Sequence, residues 1–301
     1  MTPTTSQDIP APDKIKPPAK NGRQTPEAAA TAPEISFQGP FEYRAYRDGE
    51  MTPAHKGIVD EWAWPFVVND QLWFTAMCSH SKLEYFALGF LFNEGVITTP
   101  DEVASIHVSP PPEAVIRVQL KREIELPSRR TLTSGCVGGI TFVDIAAKRT
   151  PVQSDFHLPG AQILARMLEM KRYVSKIYHS VGGFHTAALS DGEELLLVST
   201  DIGRHNTLDK ISGECLARDL CTPQRLLLTT GRISSEMLGK AAQMQIPIVA
   251  TLNSPSHLAV QLARAWNITL VGYTRGSKMQ IYSAWERVLG RNQDNPPPPQ
   301  L

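Results

Sequence analysis

Residues 225–274 read RLLLTTGRISSEMLGKAAQMQIPIVATLNSPSHLAVQLARAWNITLVGYT. Three apolar runs in this stretch, RLLLTT, IPIVATL and ITLVGYT, alternate with two helical patterns. The first pattern runs from Ser234 to Met244, and Ser254 with Pro255 forms the start signal of the second. A helix that connects two strands brings them side by side in parallel. The sequence therefore predicts an α/β or α+β fold with a partly parallel sheet.

Further elements are predicted on the amino-terminal side of this stretch. SKLEYFALGFLFNEGVI has apolar residues at helical spacing, which predicts a core helix from Ser81 with Gly95 as its stop. A second helix is expected around Pro159 to Lys171, with Ile163, Met167 and Met170 on one face. FHTAALSDGEELLLVST indicates two strands that are joined by an Asp-Gly turn at residues 191–192.

The two ends of the chain differ in composition from the rest. Residues 1–35 contain no Phe, Trp or Tyr and are rich in Pro and Ala, so we expect them to be disordered. The tail at 291–301 carries a run of four prolines, and we expect it to be disordered as well. The folded part then divides into a smaller N-terminal lobe at 36–130 and a second lobe at 131–290.

Composition restricts the classes of function. Thirty Lys plus Arg balance thirty Asp plus Glu among the 301 residues, which gives no indication of a nucleic-acid or membrane-surface partner. The chain has no apolar run of about 18 residues and no signal-peptide pattern, so we expect a cytoplasmic protein. The four cysteines form no C-x-x-C pair, which argues against a disulfide framework and against a four-thiolate zinc site.

Three loops follow the predicted parallel strands, namely TTGRISSE, TLNSPSH and YTRGSK. Ligands of open α/β sheets bind beyond the carboxyl ends of the strands. Arg232, His257, Arg275 and Lys278 are therefore expected to face one crevice, together with several hydroxyl groups. Each loop alone is also compatible with ordinary turn and helix-cap chemistry. Taken together, they favour an anionic ligand.

Cys136 lies in the glycine-rich stretch TSGCVGGITF. One interpretation is a small buried side chain in a turn. The other is a reactive thiol, because Gly135, Gly138 and Gly139 leave the sulfur uncovered and backbone N–H groups can stabilise a thiolate or a persulfide. The remaining three cysteines are predicted to be structural: Cys78, Cys215 and Cys221.

A further polar group is formed by VGGFHTAALSD and STDIGRHNTLDK. Glycine-containing turns there bring together His185, Asp201, Arg204, His205 and Asn206. Both histidines are candidates for proton transfer, and both are equally well explained as hydrogen-bonded core residues. The residues alone do not assign their roles, nor that of Arg232.

Six segments of the chain occur in the order typical of one family. They are LGFLFNEGVI, TSGCVGGITF, GGFHTAAL, DIGRHNTLDK, TTGRISSEMLGKAA and LVGYTRGSKMQIYS, within Asp60 to Ser283. The chain thereby resembles the FdhD family of formate dehydrogenase accessory sulfurtransferases. The resemblance implies a cytidine deaminase-like fold for 131–290 and a homodimer. It also implies a sulfur relay from a cysteine desulfurase to the molybdenum cofactor, bis-molybdopterin guanine dinucleotide, which is destined for the catalytic subunit of formate dehydrogenase.

The resemblance also implies site residues. Cys136 falls in the segment that holds the family's persulfide cysteine. The cofactor-binding segment corresponds to Tyr273, Thr274, Arg275, Gly276, Ser277 and Lys278. Many members have C-x-x-C in the first segment. In an ungapped alignment, Gly135 and Gly138 stand at the positions of those two cysteines, and Cys136 lies one residue after the first of them. Two alternatives follow: a single thiol transfers the sulfur, or the chain is a non-catalytic chaperone that binds the cofactor.

A deaminase-like fold also raises the hypothesis of a zinc-dependent deaminase. That chemistry needs a His or Cys trio on the metal and a nearby Glu that shuttles protons. None of the eight histidines begins an H-x-E motif, and no C-x-x-C is present. The sequence therefore predicts no metal site and no zinc.

Overall fold

The computed structural model describes residues 37–127, 131–132, 140–141, 149–178 and 181–290. The predictions of disorder at 1–35 and 291–301 lie outside these residues, as does the loop that contains Cys136. Within the described residues, no helix is long and apolar enough to cross a membrane.

The amino-terminal half is built mainly from antiparallel strands. An exposed hairpin of β1 (Phe37–Arg47) and β2 (Glu50–Val59) comes first. A four-stranded sheet follows, with the order β4-β3-β6-β5. Its strands are β3 (Trp62–Val68), β4 (Gln71–Cys78), β5 (Val103–Ser109) and β6 (Val115–Leu120). Two short pairs come later in the chain: β7 (Thr131–Leu132) with β8 (Ile140–Thr141), and β9 (Leu158–Pro159) with β16 (Val288–Leu289).

Helix α1 (Leu83–Asn93) packs against the four-stranded sheet and supplies much of its core. The helix is apolar on nearly all sides, because its other face contacts a helix of the second half. It begins two residues after the predicted start at Ser81. Lys82 has a left-handed backbone (φ 55°), and its Nζ is held by Glu214 Oε2 at 2.5 Å. Gly95, with φ 71°, follows the end of the helix as predicted.

The carboxy-terminal half contains a six-stranded mixed sheet with the order β11-β10-β12-β13-β14-β15. The pairs β12–β13 and β13–β14 are parallel, which confirms the predicted alternation, and the outer pairs are antiparallel. The strands are β10 (His185–Ser190), β11 (Leu195–Asp201), β12 (Leu226–Thr229), β13 (Ile248–Thr251), β14 (Thr269–Arg275) and β15 (Lys278–Ile281). β12 and β13 are buried throughout, as expected of central parallel strands.

Helices cover both faces of this sheet. α2 (Gly160–Tyr178) buries Ile163, Met167 and Met170 on one face, which confirms the predicted apolar stripe. Three helices cover the other face: α3 (Arg204–Ala217), α4 (Ser235–Gln243) and α5 (His257–Ala265). α3 also contacts α1, so it lies between the two halves of the molecule.

The start of α5 corrects one prediction. Ser254 and Pro255 do not open the helix, because Pro255 forms a parallel bridge with Ile233 and is therefore extended. Ser256 is the N-cap instead, and its Oγ accepts a hydrogen bond from the backbone N–H of Ala259 at 3.2 Å. α4 has Ser234 as its N-cap and Met244 as its C-cap, in agreement with the predicted limits.

Candidate functional site

The loops after β12, β13 and β14 meet at the carboxyl edge of the six-stranded sheet. Thr251 Oγ1 donates to the carbonyl of Gly231 at 2.5 Å, and Asn253 Nδ2 donates to the carbonyl of Thr230 at 2.7 Å. The N–H of Tyr273 donates to the carbonyl of Asn253 at 3.0 Å. The structure thus brings the three loops together at one edge, as the sequence predicted.

Asn253 is a residue that the sequence analysis did not identify. Its side chain reaches the loop after β12, and its carbonyl accepts from the loop after β14. Its own N–H donates to Thr251 Oγ1 at 3.0 Å, which fixes the residue at the end of β13. The only signal in the sequence was an asparagine directly after a predicted buried strand, and asparagine is also common in ordinary turns.

The segment from Tyr273 to Lys278 forms the end of β14 and its turn into β15. Tyr273 has a left-handed backbone (φ 50°), and the strand register shifts between Gly272 and Arg275. Tyr273 is 44% exposed, whereas Thr274 is only 1% exposed. Thr274 Oγ1 has no hydrogen-bond partner among the described residues, so this buried hydroxyl is unsatisfied.

Two cations flank an open glycine in this turn. Arg275 lies opposite Lys278 in the antiparallel register, and both side chains are exposed. Arg275 Nε donates to the carbonyl of Leu252 at 2.9 Å, so the guanidinium is anchored to the neighbouring loop. Gly276 (φ 58°) faces open space, because a Cβ at this position would have no atom within 4 Å apart from its chain neighbours. The arrangement allows an anion to approach the backbone between two positive side chains.

His185 reaches the same edge from the antiparallel side of the sheet. β10 runs opposite to β12, so the start of β10 lies beside the end of β12. The N–H of Thr186 donates to Thr230 Oγ1 at 3.0 Å, and His185 pairs with Asp201 across the ladder. The polar group that the sequence predicted around two glycine turns is therefore next to the three loops.

Arg204 is the first residue of α3 and is 94% buried, with 6% of its surface exposed. A Cβ at Gly231 would lie 3.0 Å from the Cβ and 3.1 Å from the Cδ of Arg204. Glycine at position 231 is therefore what allows the stem of Arg204 to pack on the loop after β12. His257 and Arg232 lie at this edge as well and are exposed.

His205 and Glu236 face each other across the amino termini of α3 and α4. Nε2 of His205 lies 3.9 Å from Oε2 of Glu236, which is too long for a hydrogen bond, and neither atom has a hydrogen-bond partner among the described residues. Burial lowers the pKa of His205; Glu236 opposes this by raising it, and Lys240 and Arg204 lower it further. Contact with the imidazole is the main cause that lowers the pKa of Glu236 to about 2.

The pKa of His185 is lowered too, first by burial and then by Arg204 and His205. Both rings are therefore mainly neutral at pH 7 and able to accept a proton. The sequence analysis did not identify Glu236, because it lies 31 positions from His205 and its neighbours indicate only a helix start. Asp201 is 1% exposed, and both of its carboxylate oxygens accept hydrogen bonds within the protein, Oδ2 from Ser79 and Oδ1 from the N–H of Gly203.

The cysteines have different surroundings. Cys136, together with Gly135, Gly138 and Gly139, lies outside the described residues. Cys78 and Cys215 are buried as predicted; burial raises the pKa of the Cys78 thiol, and it raises that of Cys215 to about 12. Cys221 is exposed, which corrects its prediction as a structural residue, because the segment after α3 leaves it on the surface.

Metal-ligating side chains do not cluster in the part of the chain that the structure describes, where no group of three or more His, Cys, Asp or Glu could hold an ion. The cations at the edge are of the kind that binds phosphate or another oxyanion. The exposed side chains of Arg275, Lys278 and Arg232 are therefore suited to an anionic ligand.

Comparisons with known proteins agree on one family. The sequence model of the FdhD/NarQ family matches residues 59–289. The chain is 34% identical over 255 residues to the sulfur carrier protein FdhD of Staphylococcus aureus strain MRSA252, covering 82% of this chain and 95% of that protein. The protein of strain JH9 matches to the same extent. A crystal structure from Desulfotalea psychrophila, provisionally described as a formate dehydrogenase accessory protein, is 27% identical with a TM-score of 0.67, covering 85% of this chain and 99% of that chain.

Proposed function

The chain belongs to the FdhD/NarQ family, and from that premise we propose that it is a sulfur carrier that serves formate dehydrogenase. In this proposal it relays persulfide sulfur from a cysteine desulfurase to the molybdenum cofactor, bis-molybdopterin guanine dinucleotide. The observation that supports it most is the convergence of the three strand-end loops and the His185–His205 group at one edge of the sheet.

The cofactor is the cargo of this reaction and binds through its phosphates. Arg275 offers a planar fork of donors to phosphate oxygens, and Lys278 adds a mobile positive charge. Gly276 permits close approach of the ligand to the backbone, and the buried Oγ1 of Thr274 lacks a partner among the described residues. The exposed ring of Tyr273 is suited to packing on a base, and Ser277 supplies a further hydroxyl. These residues fit a nucleotide group.

Cys136 carries the sulfur in the proposed relay. Its thiolate attacks the outer sulfur of the desulfurase persulfide, a new S–S bond forms on Cys136, and the desulfurase leaves as a thiolate. The proton lost by Cys136 is balanced by protonation of that leaving thiolate, so the exchange needs no oxidant or reductant. An unperturbed thiol has a pKa of about 8.5, so only a few per cent is ionised at neutral pH.

A second candidate function follows from the cysteine segment. Gly135 and Gly138 stand where many family members have two cysteines. If this difference removes sulfur transfer, the chain is a chaperone that binds and delivers the cofactor. The two functions share the cofactor site at the sheet edge and differ only in the need for Cys136.

Mass spectrometry of the intact protein separates the two functions. After incubation with a cysteine desulfurase and cysteine, the wild type and Cys221→Ala should gain the mass of sulfur, whereas Cys136→Ala should not. Cys221→Ala is the matched control, because this thiol is exposed. Equal loading of Cys136→Ala and the wild type would rule out the relay. If Cys136→Ala also restores formate dehydrogenase activity in a cell that lacks its own accessory protein, the chaperone function is supported.

Several wider features belong to the same proposal. We place the protein in the cytoplasm as a homodimer that contacts the catalytic subunit of formate dehydrogenase. We assign a cytidine deaminase-like fold to the lobe at 131–290, which is supported by its mixed sheet with helices on both faces. The lobe at 36–130 contains the four-stranded sheet and α1.

A further inference from the structure

A buried carboxylate, that of Asp201, connects the two halves of the molecule. Asp201 is the last residue of β11 and is 1% exposed. Its Oδ2 accepts hydrogen bonds from the N–H of Ser79 at 3.1 Å and from the Ser79 hydroxyl at 2.9 Å. Ser79 follows directly after β4, so one carboxylate oxygen of the second half is bound to the end of a strand of the first.

Lys210 completes this contact. The residue is fully buried on α3, and its Nζ donates to Asp201 Oδ2 at 2.6 Å and to the Ser79 hydroxyl at 2.9 Å. It also donates to the carbonyl of Thr200 at 3.3 Å. A buried ion pair is retained only when its geometry is good and its remaining hydrogen bonds are satisfied, and both conditions hold here. The group therefore has one defined arrangement.

The other oxygen of Asp201 holds the turn that begins α3. Oδ1 accepts from the N–H of Gly203 and from Asn206 Nδ2, both at 2.8 Å. Gly203 is the N-cap of α3 and has no side chain with which to cap it, so Asp201 fixes the start of the helix in its place. Asn206 Nδ2 also donates to the carbonyl of Met77 in β4 at 2.9 Å, which ties the turn to the first half a second time.

The residues between these anchors are Arg204 and His205, which lie at the candidate site. Arg204 packs on Gly231, and His205 faces Glu236. A shift of the turn moves both side chains relative to the loop after β12. Neither Ser79 nor Lys210 needs to touch a ligand in order to affect this geometry.

We propose that Asp201 is a positioning residue that fixes the places of Arg204 and His205 in the site. Ser79, directly after β4, and Lys210 hold its carboxylate. Its importance for ligand binding rests on the proposed function, whereas its effect on His205 does not. The amino-terminal half is in this view a part of the site, because Ser79 and the carbonyl of Met77 hold the turn that carries Arg204 and His205.

Two serine variants test the proposal. Ser79→Ala removes the hydroxyl that contacts Asp201 and Lys210 without changing the charge of the protein. Ser212→Ala is the matched control: Ser212 is 1% exposed on α3, and its Oγ donates to Asn93 Oδ1 of α1 at 3.3 Å. Each variant loses one buried hydroxyl between α3 and the amino-terminal half. Thermal unfolding followed by circular dichroism identifies a temperature at which both variants remain folded, and all measurements are made there.

The first readout is the NMR titration of the His205 ring, whose charged and titratable neighbours are Glu236, Lys240, Arg204 and His185. None of these neighbours changes in either variant. For Ser79→Ala we expect the titration midpoint to rise toward the ordinary histidine value, because a displaced turn exposes the ring to water. Ser212→Ala should titrate as the wild type does.

The second readout is the dissociation constant for GDP, used as a probe for the guanine dinucleotide. It should rise about fivefold in Ser79→Ala, the size of one lost net hydrogen bond, and stay near the wild-type value in Ser212→Ala. An unchanged His205 midpoint in Ser79→Ala, or equal shifts in both variants, overturns the proposal. If the wild type does not bind GDP, the proposed cofactor site is wrong and the His205 titration alone decides on the positioning role.

Discussion

Gly89 of α1 and Gly213 of α3 allow the two helices to cross at backbone contact. A Cβ at Gly89 would lie 1.9 Å from the carbonyl oxygen of Asp209, and a Cβ at Gly213 would lie 1.9 Å from the carbonyl oxygen of Tyr85. Both values are far below any van der Waals contact, and the clashing atoms belong to the backbone. The halves of the molecule therefore share a contact that only glycine permits.

Gly213→Ala should lower the free energy of unfolding by about 3 kcal/mol, because the helices must separate to admit the methyl group. Urea unfolding followed by circular dichroism measures the change. Gly239→Ala in α4 is the control: its Cβ would have its nearest neighbour at 3.7 Å, so it should stabilise the protein by about 0.5–1 kcal/mol through helix propensity. Gly213→Ala with wild-type stability would contradict the close crossing.

Lys210→Met should destabilise the protein by about 3–5 kcal/mol, because it leaves the Asp201 carboxylate buried without a counter-ion. The double variant Lys210→Met with Asp201→Asn should recover part of that loss, since the uncompensated charge is then gone. Arg44→Ala, which removes a half-exposed ion pair with Glu42, should leave the unfolding curve almost unchanged. The same urea titration serves all three proteins, and equal effects of the two single variants would argue against the buried pair.

Stability should decrease as the pH falls below the ordinary histidine pKa of 6.5. The pKa of His185 and that of His205 are lowered in the folded state, so the unfolded chain takes up protons first and is favoured. Unfolding by urea between about pH 7.5 and pH 5.5 should show this slope. His205→Gln should reduce it.

Glu236 acts in a separate pH range. Its pKa is lowered from 4.5 to about 2, so its contribution to stability is complete above 4.5 and is lost as the pH falls toward 2. Above pH 5.5 the Glu236 carboxylate is ionised in both states, so the dependence of stability on pH there reports on the histidines. If this dependence is the same in His205→Gln and the wild type, His205 does not titrate with a lowered pKa.

Arg275→Ala should weaken the binding of GDP by roughly ten- to a hundredfold, the effect of losing a charge-assisted hydrogen bond to phosphate. The wild type should prefer GDP to ADP, and its affinity should fall as salt rises. Arg264→Ala is the control, because Arg264 is also exposed and its Nε also donates to a backbone carbonyl, that of Tyr282 at 3.2 Å. Calorimetric titration that gives equal GDP affinity for Arg275→Ala and the wild type would move the phosphate site away from this turn.

Among Cys78, Cys215 and Cys221, only Cys221 should react with a thiol reagent in the native protein. Burial raises the pKa of the other two thiols and shields them from the reagent. Peptide mapping after alkylation, with and without denaturant, identifies the labelled positions. Native labelling of Cys78 would mean that the end of β4 opens readily.

Much of the site's framework could be predicted from short-range patterns. The alternation of apolar runs and helical patterns in residues 225–274 predicted parallel strands, and strand-end loops then had to meet at one edge. His185 and Arg204 were recognised as part of a polar group because they lie near glycine turns. These features depend on residues that are close in sequence or fixed by strand direction.

Other features depend on contacts between distant residues. Ser79 and Asp201 are 122 positions apart, and no local pattern indicates that they meet. The cap of α5 was misplaced because Ser254 and Ser256 are equally good caps by composition, and only the bridge from Pro255 to Ile233 keeps the first of them outside the helix. Tyr273 was predicted at the junction of a strand and the loop YTRGSK, and its left-handed backbone, which accompanies the register shift with β15, has no local signal in the sequence.

The exposed thiol of Cys221 offers a chemical handle remote from the ligand. Cys221 lies in the segment that joins α3 to β12, at the amino end of the strand, whereas the candidate site lies at the carboxyl end. A fluorophore or an immobilising linker attached there leaves the strand-end loops accessible. In Cys136→Ala, which lacks the other thiol proposed to be reactive, the molecule can therefore be tethered to a surface with the candidate site facing solution, and formate dehydrogenase can be presented to it.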